Sequence, residues 1–451
     1  MFRRFTRSRR DFMKLMGSTL GCTLLAGCGN DGLNLPPTGP VGGSLPNGYV
    51  FYRIYSPTAS PLPQVSGLSP VLLLVGNQVM FLGETTPGTF GLFSLTVDYS
   101  ASRPRVVDGR KIFQEQERLS DGRVLDRIGS FDANAEGDVA VVLNFDVSQG
   151  PAGQGPAAVA LDKGGSHELL LDYGQALPGN QGSYGGDFGD VDLQGQSLLA
   201  VGRYGGDGET AQGLFHLPFE DASQATIVLN TDQEVPGADG SLINLGLVDQ
   251  ADDGTFVLQV FGANPLLTSG DPAPSPKGSA ILRANLHDKL ASSRLLAACP
   301  SLNLTRASLT DLPSQGISLY GPRIDGVGTL TSHLTEGLDG TLTLYRGASP
   351  IARSGSASPG GTIIQSILPA VLDEMGLAYY QVLTDKGMEL CLNNGLSSAV
   401  ILSRGDSVEG SSPIDTLAYG FHTAQVDPVG RIVCYAQMTD GQEAILMGVP
   451  V

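Results

Sequence analysis

Tryptophan is absent from the 451 residues, and charged residues make up only 16% of them. A chain this poor in charge and 41% hydrophobic is not an intrinsically disordered polyampholyte. The apolar segment at residues 15–27 has 13 residues, short of the roughly 18 that a membrane-spanning helix requires. Signatures of catalysis are missing: there is no GxSxG elbow, HExxH pair, P-loop, CxxCH or calcium-binding EF-hand loop. Five cysteines without a CxxC spacing support neither a zinc ribbon nor a disulfide framework. The absence of Trp also disfavours sugar-stacking sites, although 13 tyrosines offer a substitute.

Glycine and proline are plentiful, 61 and 28 residues, about a fifth of the chain. That excess is aperiodic, which excludes collagen, and lies below the roughly 25–30% of low-complexity disorder. A turn-rich, all-β globular protein remains. Its net charge of −18 is unevenly spread. Residues 1–27 hold six Arg and Lys against one Asp, so the remainder carries 21 basic and 44 acidic residues, a net of −23. An acidic body excludes nucleic acid as a partner, because phosphates require a basic face. It also argues against electrostatic docking on anionic lipid.

The N-terminus carries the most specific signal. Ser8-Arg9-Arg10-Asp11-Phe12-Met13-Lys14 resembles the twin-arginine export motif, with Met13 where Leu is usual. The 13-residue apolar segment that follows has the length of a signal-peptide core, and it ends Leu25-Ala26-Gly27-Cys28, which resembles a bacterial lipobox. These resemblances imply that Arg9, Arg10 and Phe12 direct export and that the Cys28 thiol is alkylated by diacylglycerol. The mature protein would then be lipid-anchored in the bacterial cell envelope. Gly29 is not the Asp that resembles an inner-membrane retention signal, so outer-membrane sorting is permitted. Residues 28–48 continue as a Pro/Gly/Asn-rich stretch with no apolar period, expected to be a flexible tether. Residues 49–451 form the body. Twin-arginine substrates fold before export, in a reducing compartment, which implies buried free thiols for Cys299, Cys391 and Cys434.

The body is built on a repeat. A glycine followed by a short apolar run recurs at Gly76, Gly137, Gly195, Gly254, Gly328, Gly376 and Gly430, with a mean spacing of 59 residues. In five copies an Asn or Asp stands three residues earlier: Asn134, Asp192, Asp325, Asp373 and Asp427. Leu73 and Ala251 take that place in the others. An Asx side chain closes a turn on its own backbone and glycine supplies positive φ, so each copy reads as a turn entering a buried strand. A second arm follows, as in Gly91-Leu92-Phe93 and Gly213-Leu214-Phe215. Next comes a strand that ends in a turn, LLDYGQALPG, VLNTDQEVPG, IARSGSASPG and ILSRGDSVEG. About four strands in each 50–60 residues predict a β-propeller of seven blades. The last unit is one strand short, so the N-terminal strand YVFYRIY is expected to complete it and close the ring. The alternative is a linear β-solenoid, whose rungs are usually shorter.

Without Trp the repeats are not of the WD40 type. NAEGDVAVV, DEMGLAYYQV and DPVGRIVCYA resemble the bacterial NxxGxxAF tandem-repeat family, and GDSVEG and GSASPG resemble its turn. The resemblance covers nearly all of residues 69–451 and implies no particular activity. Two stretches interrupt the pattern: a Pro/Ser-rich insertion at residues 262–277, and residues 281–296, whose apolar spacing suggests one helical stretch.

Candidate site residues are few. His216 and His422 lie in strand-like runs and are candidates to face a central channel; His167, His287 and His333 are scattered. Asp187, Asp190 and Asp192 sit on a Gly-rich segment, and Asp249, Asp252 and Asp253 form a similar group. Clustered carboxylates suit hard cations, although neither spacing matches a calcium loop. Asp192 is expected to serve its turn. No cofactor or metal is specified by these residues. Two functions fit: a non-catalytic envelope module that binds a protein, glycan or peptide, or a hydrolase or lyase with its site in the propeller channel.

Overall fold

The computed structural model describes residues 45–46 and 48–451, apart from 101–102, 150–155, 178–181, 207–208, 219–224, 232–241, 263–277, 289–293, 299–317, 338, 419–423 and 428. Arg9, Arg10, Phe12 and Cys28 lie outside these residues. The described chain is a seven-bladed β-propeller. Its strands pair into seven antiparallel sheets of four positions each. In two sheets the innermost position is split into two short strands. The innermost strands are Gly67–Val75, Leu125–Ala133, Ser183–Gln194, Leu242–Gln250, Ser318–Ile324, Ile364–Ile367 with Val371–Leu372, and Ile414–Leu417 with Ala424–Val426. They begin blades 1 to 7 in that order.

Each blade packs on both faces, so its second strand is a nearly continuous apolar run. Val139–Phe145 and Ala378–Thr384 are buried along almost their whole length. Apolar clusters join consecutive blades around the ring. One joins Met80 and Leu92 of blade 1 to Val139 and Leu143 of blade 2, and another joins Ile445 and Met447 of blade 7 to Leu72 and Phe81 of blade 1. A continuous interface from the last blade to the first is a ring, not a solenoid.

The Asx turns join the first two strands of a blade. The Asn134 carboxamide oxygen accepts from Asp138 N at 2.9 Å, and Asp373 Oδ1 accepts from Met375 N and Leu377 N at 2.9 and 2.8 Å. Gly137 and Gly376 complete these turns at φ 87° and 74°. The Pro-Gly turns carry the chain from the outermost strand of one blade to the innermost strand of the next. In the passage from blade 5 to blade 6, Gly355 N donates to Ile364 O at 2.7 Å and Ile364 N to Ser356 O at 2.9 Å. From blade 6 to blade 7, Gly405 N and Ile414 N form the same pair of bonds with Ile414 O and Asp406 O, at 2.8 and 3.1 Å.

Strand Tyr49–Tyr55 closes the ring as expected. It is the outermost strand of blade 7, antiparallel to Glu443–Pro450 with Tyr49 opposite Pro450. Glu409 N donates to Phe51 O at 2.9 Å, so the turn leaving blade 6 is sewn to the same strand. On the blade 1 side, Leu68 N donates to Glu443 Oε2 at 2.8 Å.

The expected helix at 281–296 is not formed. Gly278–Asn285 is a strand, Leu286–Asp288 a single 3-10 turn and Arg294–Ala298 another strand. Both faces of this sheet are covered: Ala280, Leu282 and Ala284 pack towards blade 3, and Ile281 towards blade 5. Apolar residues at both parities resemble a helical spacing when read alone. The insertion joins two paired strands, with Gly262 opposite Gly278; its residues 263–277 lie outside the described residues. Cys391 and Cys434 are buried free thiols, and burial pushes Cys434 up to about 12. Cys299 lies outside the described residues.

Candidate functional site in the central channel

All seven innermost strands line one cavity of about 310 Å³ on the axis of the ring. The same repeat position contributes from every blade, five residues before the recurring glycine. It is filled by Val71, Asp132, Asp190, Asp249, Arg323, Val371 and Gln425 in blades 1 to 7. Blades 2 to 4 therefore present carboxylates and blade 5 a guanidinium. Blades 6 and 1 present Val371 and Val71, alongside Leu372, Leu73 and Val75. The channel has an acidic wall and an apolar wall.

Each carboxylate reaches across to the backbone of the next blade. Asp132 Oδ2 accepts from Leu193 N at 2.7 Å, Asp190 Oδ2 from Val248 N at 3.0 Å, and Asp249 Oδ2 from Ile324 N at 2.6 Å. Asp192 Oδ2 accepts from Gln250 N. These bonds hold innermost strands that do not pair with one another, and they satisfy amides that would otherwise be orphaned. Arg323 Nη1 donates to Asp249 Oδ1 at 3.0 Å. Protein surrounds both side chains, yet they keep 24% and 18% of their surface open to the channel.

Crowding carboxylates in a narrow channel disfavours their charged forms. Burial pushes Asp190 up to about 6, against the opposing pull of the Val248 amide and Arg323. Burial, reinforced by the charges of Asp132 and Asp249, holds Asp192 well above the ordinary carboxylate range. Burial also raises Asp132, whose carboxyl is hydrogen-bonded to that of Asp192. Two adjoining carboxyls of this kind each disfavour the other's charge. Asp249 is raised by burial as well, with Arg323 pulling the other way. Burial opposes the charge on Arg323, but Asp249 and Asp190 more than offset it.

The sequence candidates divide. Asp190, Asp192 and Asp249 meet in the channel. Asp252 is an exposed acceptor for Gln194 Nε2, and Asp253 caps its own turn through Thr255 N at 2.8 Å. Asp187 lies in the innermost strand of blade 3, with its side chain outside the described residues. Asp192 does not serve a turn. It pairs with Leu199 inside the hairpin, and the loop is the two-residue Gly195-Gln196, with Gly195 at φ 55°. A type II′ loop of this kind needs no Asx side chain, so Asp192 is left to reach the next blade. His216 does not face the channel. It lies on the third strand of blade 3, with Nε2 3.0 Å from Ser197 Oγ. His422 lies outside the described residues. Sequence reasoning missed Asp132 and Arg323. The signal was present: both stand two residues before a turn Asx, Asn134 and Asp325. Among the described residues no group of three or more His, Cys, Asp or Glu is placed to hold one metal ion.

No protein-family model and no curated protein sequence matches the chain. Similar solved structures include a puromycin-hydrolysing peptidase from Mycobacterium tuberculosis, 13% identical with a TM-score of 0.48. The match covers 89% of this chain and 54% of that one, so this chain spans about half the peptidase's length. The β-propeller domain of the Trilobed protease from Pyrococcus furiosus is 10% identical with a TM-score of 0.45, over 85% of this chain and 93% of that one. TolB from Acinetobacter baumannii is 10% identical with a TM-score of 0.35, over 82% and 79%.

Proposed function

We propose that the chain is a lipid-anchored binding module of the bacterial cell envelope, a rigid ring that presents its loops to a protein, glycan or peptide. The observation that carries this reading is the use made of the channel carboxylates. Asp132, Asp190, Asp192 and Asp249 each hold a backbone amide of the adjoining blade. Groups committed to holding the ring together stiffen the scaffold on which loops are displayed, and rigid scaffolds suit binding loops. The NxxGxxAF-like repeats and the lipobox at Cys28 agree with an envelope role. Photo-crosslinking in the cell from Tyr173 and Ile363, both exposed beside turns between blades, tests the binding. Discrete protein or glycan adducts are expected; a folded, exported protein that yields none rejects the reading. Cys28→Ser is expected to move the protein from the detergent phase to the aqueous phase, and unchanged partitioning rejects the anchor.

A hydrolase or lyase is the second reading, favoured by one observation: the adjoining carboxyls of Asp132 and Asp192, both raised by burial, face a cavity that also holds Arg323. An acid–base pair requires carboxyls with separated proton affinities. Substrate turnover abolished by Asp132→Asn, at an unchanged melting temperature, would favour this reading over the first.

A further inference from the structure

We infer that the end of the ring bearing the Asx turns of blades 5 to 7 rests on the lipid bilayer, so that the opposite end faces away from it. The inference rests on the reading of Cys28 as the lipid-bearing residue. It starts from one position of the repeat, the residue just before the turn glycine, which stands at the apex of the turn. In blades 2 and 4 that residue is Glu136 and Asp253, as suits an exposed apex. In blades 5, 6 and 7 it is Val327, Met375 and Val429, with 37%, 57% and 65% of their surface exposed. Leu396, 77% exposed, adds a fourth on the other turn at the same end of blade 6. Single exposed apolar residues are ordinary. Four on three consecutive blades, at one end of a ring, form a patch. Among the described residues, the other exposed large apolar side chains are Val147, Tyr173 and Ile363, on other turns spread over several blades, Val107 on the outermost strand of blade 1, and the last residue, Val451.

The turns of this patch touch. Arg346 Nε of blade 5 donates to Gly376 O at 2.8 Å, beside Met375, and its guanidinium lies against Gly395, beside Leu396. The Tyr49 hydroxyl donates to Gly430 O at 2.9 Å, beside Val429, and lies 3.2 Å from the Tyr379 hydroxyl of blade 6. The Asp residues of the three turns have their carboxylates turned inward onto their own turn amides, and Glu374, beside Met375, is the exposed carboxylate of these turns.

The bilayer is favoured as occupant by where the N-terminal chain joins the body. Gly48 O accepts from Val451 N at 3.0 Å, and Leu45 packs against the cluster between blades 6 and 7. The chain leading back to Cys28 therefore leaves the body beside the patch. Residues 28–44 number 17, and at full extension span at most about 60 Å. A lipid at Cys28 supplies attachment but does not by itself set the orientation of the ring. The apolar apices select one orientation, by entering the interface between headgroups and acyl chains. Asp253 of blade 4 lies against Gly328 beside Val327 and marks the edge of the patch, whereas Glu136 of blade 2, across the ring at the same end, would be repelled by anionic headgroups and tilt the ring towards blades 5 to 7.

The test uses the full lipidated chain on vesicles of phosphatidylethanolamine and phosphatidylglycerol. A bimane probe is attached at Leu396→Cys or, as the control at the opposite end, at Val147→Cys, each with Cys299→Ser. Cys391 and Cys434 are buried and stay unlabelled. Co-flotation with vesicles is measured first, then quenching by aqueous iodide. Quenching at residue 396 is expected to fall several-fold on binding, with a blue-shifted emission, while residue 147 stays as accessible as in solution. A floating protein with both positions equally quenched overturns the proposal and leaves the anchor standing. Shielding of residue 396 without vesicles, growing with protein concentration, overturns it in favour of a second copy of the chain. Failure to float removes the anchor and the proposal together.

Discussion

Asp190 shows the conflict that shapes the channel at the scale of single residues. Its carboxylate is the acceptor for Val248 N, yet it shares a confined space with Asp132, Asp192 and Asp249. Burial lifts it from the unfolded value of roughly 3.9 to about 6. Between those values the folded chain holds more proton than the unfolded one, so this residue's contribution to stability falls as pH rises from about 4 through about 6. Asp190→Asn keeps an oxygen for Val248 N and does not titrate. The melting temperature of the variant, relative to the native chain, is therefore expected to rise between pH 4 and pH 7 and to level off above. A difference independent of pH would mean that Asp190 carries no penalty for its charge. Relief of Asp192, which Asp190 raises further, acts in the same direction.

Among the elements, the Asx turn links local and long-range structure. In blade 7, Asp427 Oδ1 accepts from Val429 N and Arg431 N at 3.1 and 2.8 Å. Its other oxygen pairs with the Arg431 guanidinium, which stacks 3.7 Å over the Tyr99 ring and donates to Gly76 O of blade 1 at 3.1 Å. One side chain thus shapes a turn and fixes the arginine that bridges the last blade to the first. Asp427→Ala strips a buried partner from that arginine and is expected to cost about 3–5 kcal/mol. Asp427→Asn keeps the oxygen for the turn amides and loses only the charge on the Arg431 contact, a cost of about 1–3 kcal/mol. Urea unfolding separates them; equal losses would show that the turn amides contribute nothing. The turn was legible in the sequence at Asn134, Asp325, Asp373 and Asp427, where side chain and glycine act within five residues. It was misread at Asp192, because the spacing to Gly195 is the same. The difference lies in how far the hairpin ladder runs before it turns, and that depends on pairing, not on local sequence.

At the scale of the whole molecule, the closing strand is the weak point of the ring. Tyr49–Tyr55 pairs along Glu443–Pro450 and receives the bond from Glu409 N. Removing residues 49–56 exposes the edge of Glu443–Pro450 and withdraws Phe51 and Tyr55 from two interblade clusters. The loss is expected to exceed the roughly 0.5–3 kcal/mol of a typical point change and to promote edge-to-edge association. Removing residues 30–44 instead should leave the melting temperature unchanged. Thermal melts of the two truncated chains, with size-exclusion chromatography, decide the matter: equal melting temperatures would show that closure contributes no stability.

Blade number, turns and closure were determined by the sequence itself, because they rest on signals that act over a few residues and repeat. Glycine permits positive φ, Asx caps its own turn, a doubly covered strand must be apolar, and a final unit lacking a strand requires one from elsewhere. The channel was decided by tertiary structure. Asp132 and Leu193, or Asp249 and Ile324, are 61 and 75 residues apart, and nothing near either residue announces the other. They meet only because the packing of blade on blade brings the innermost strand of each beside the next. A carboxylate placed there must find an amide of the adjoining blade or an opposite charge, and the packed ring alone fixes which.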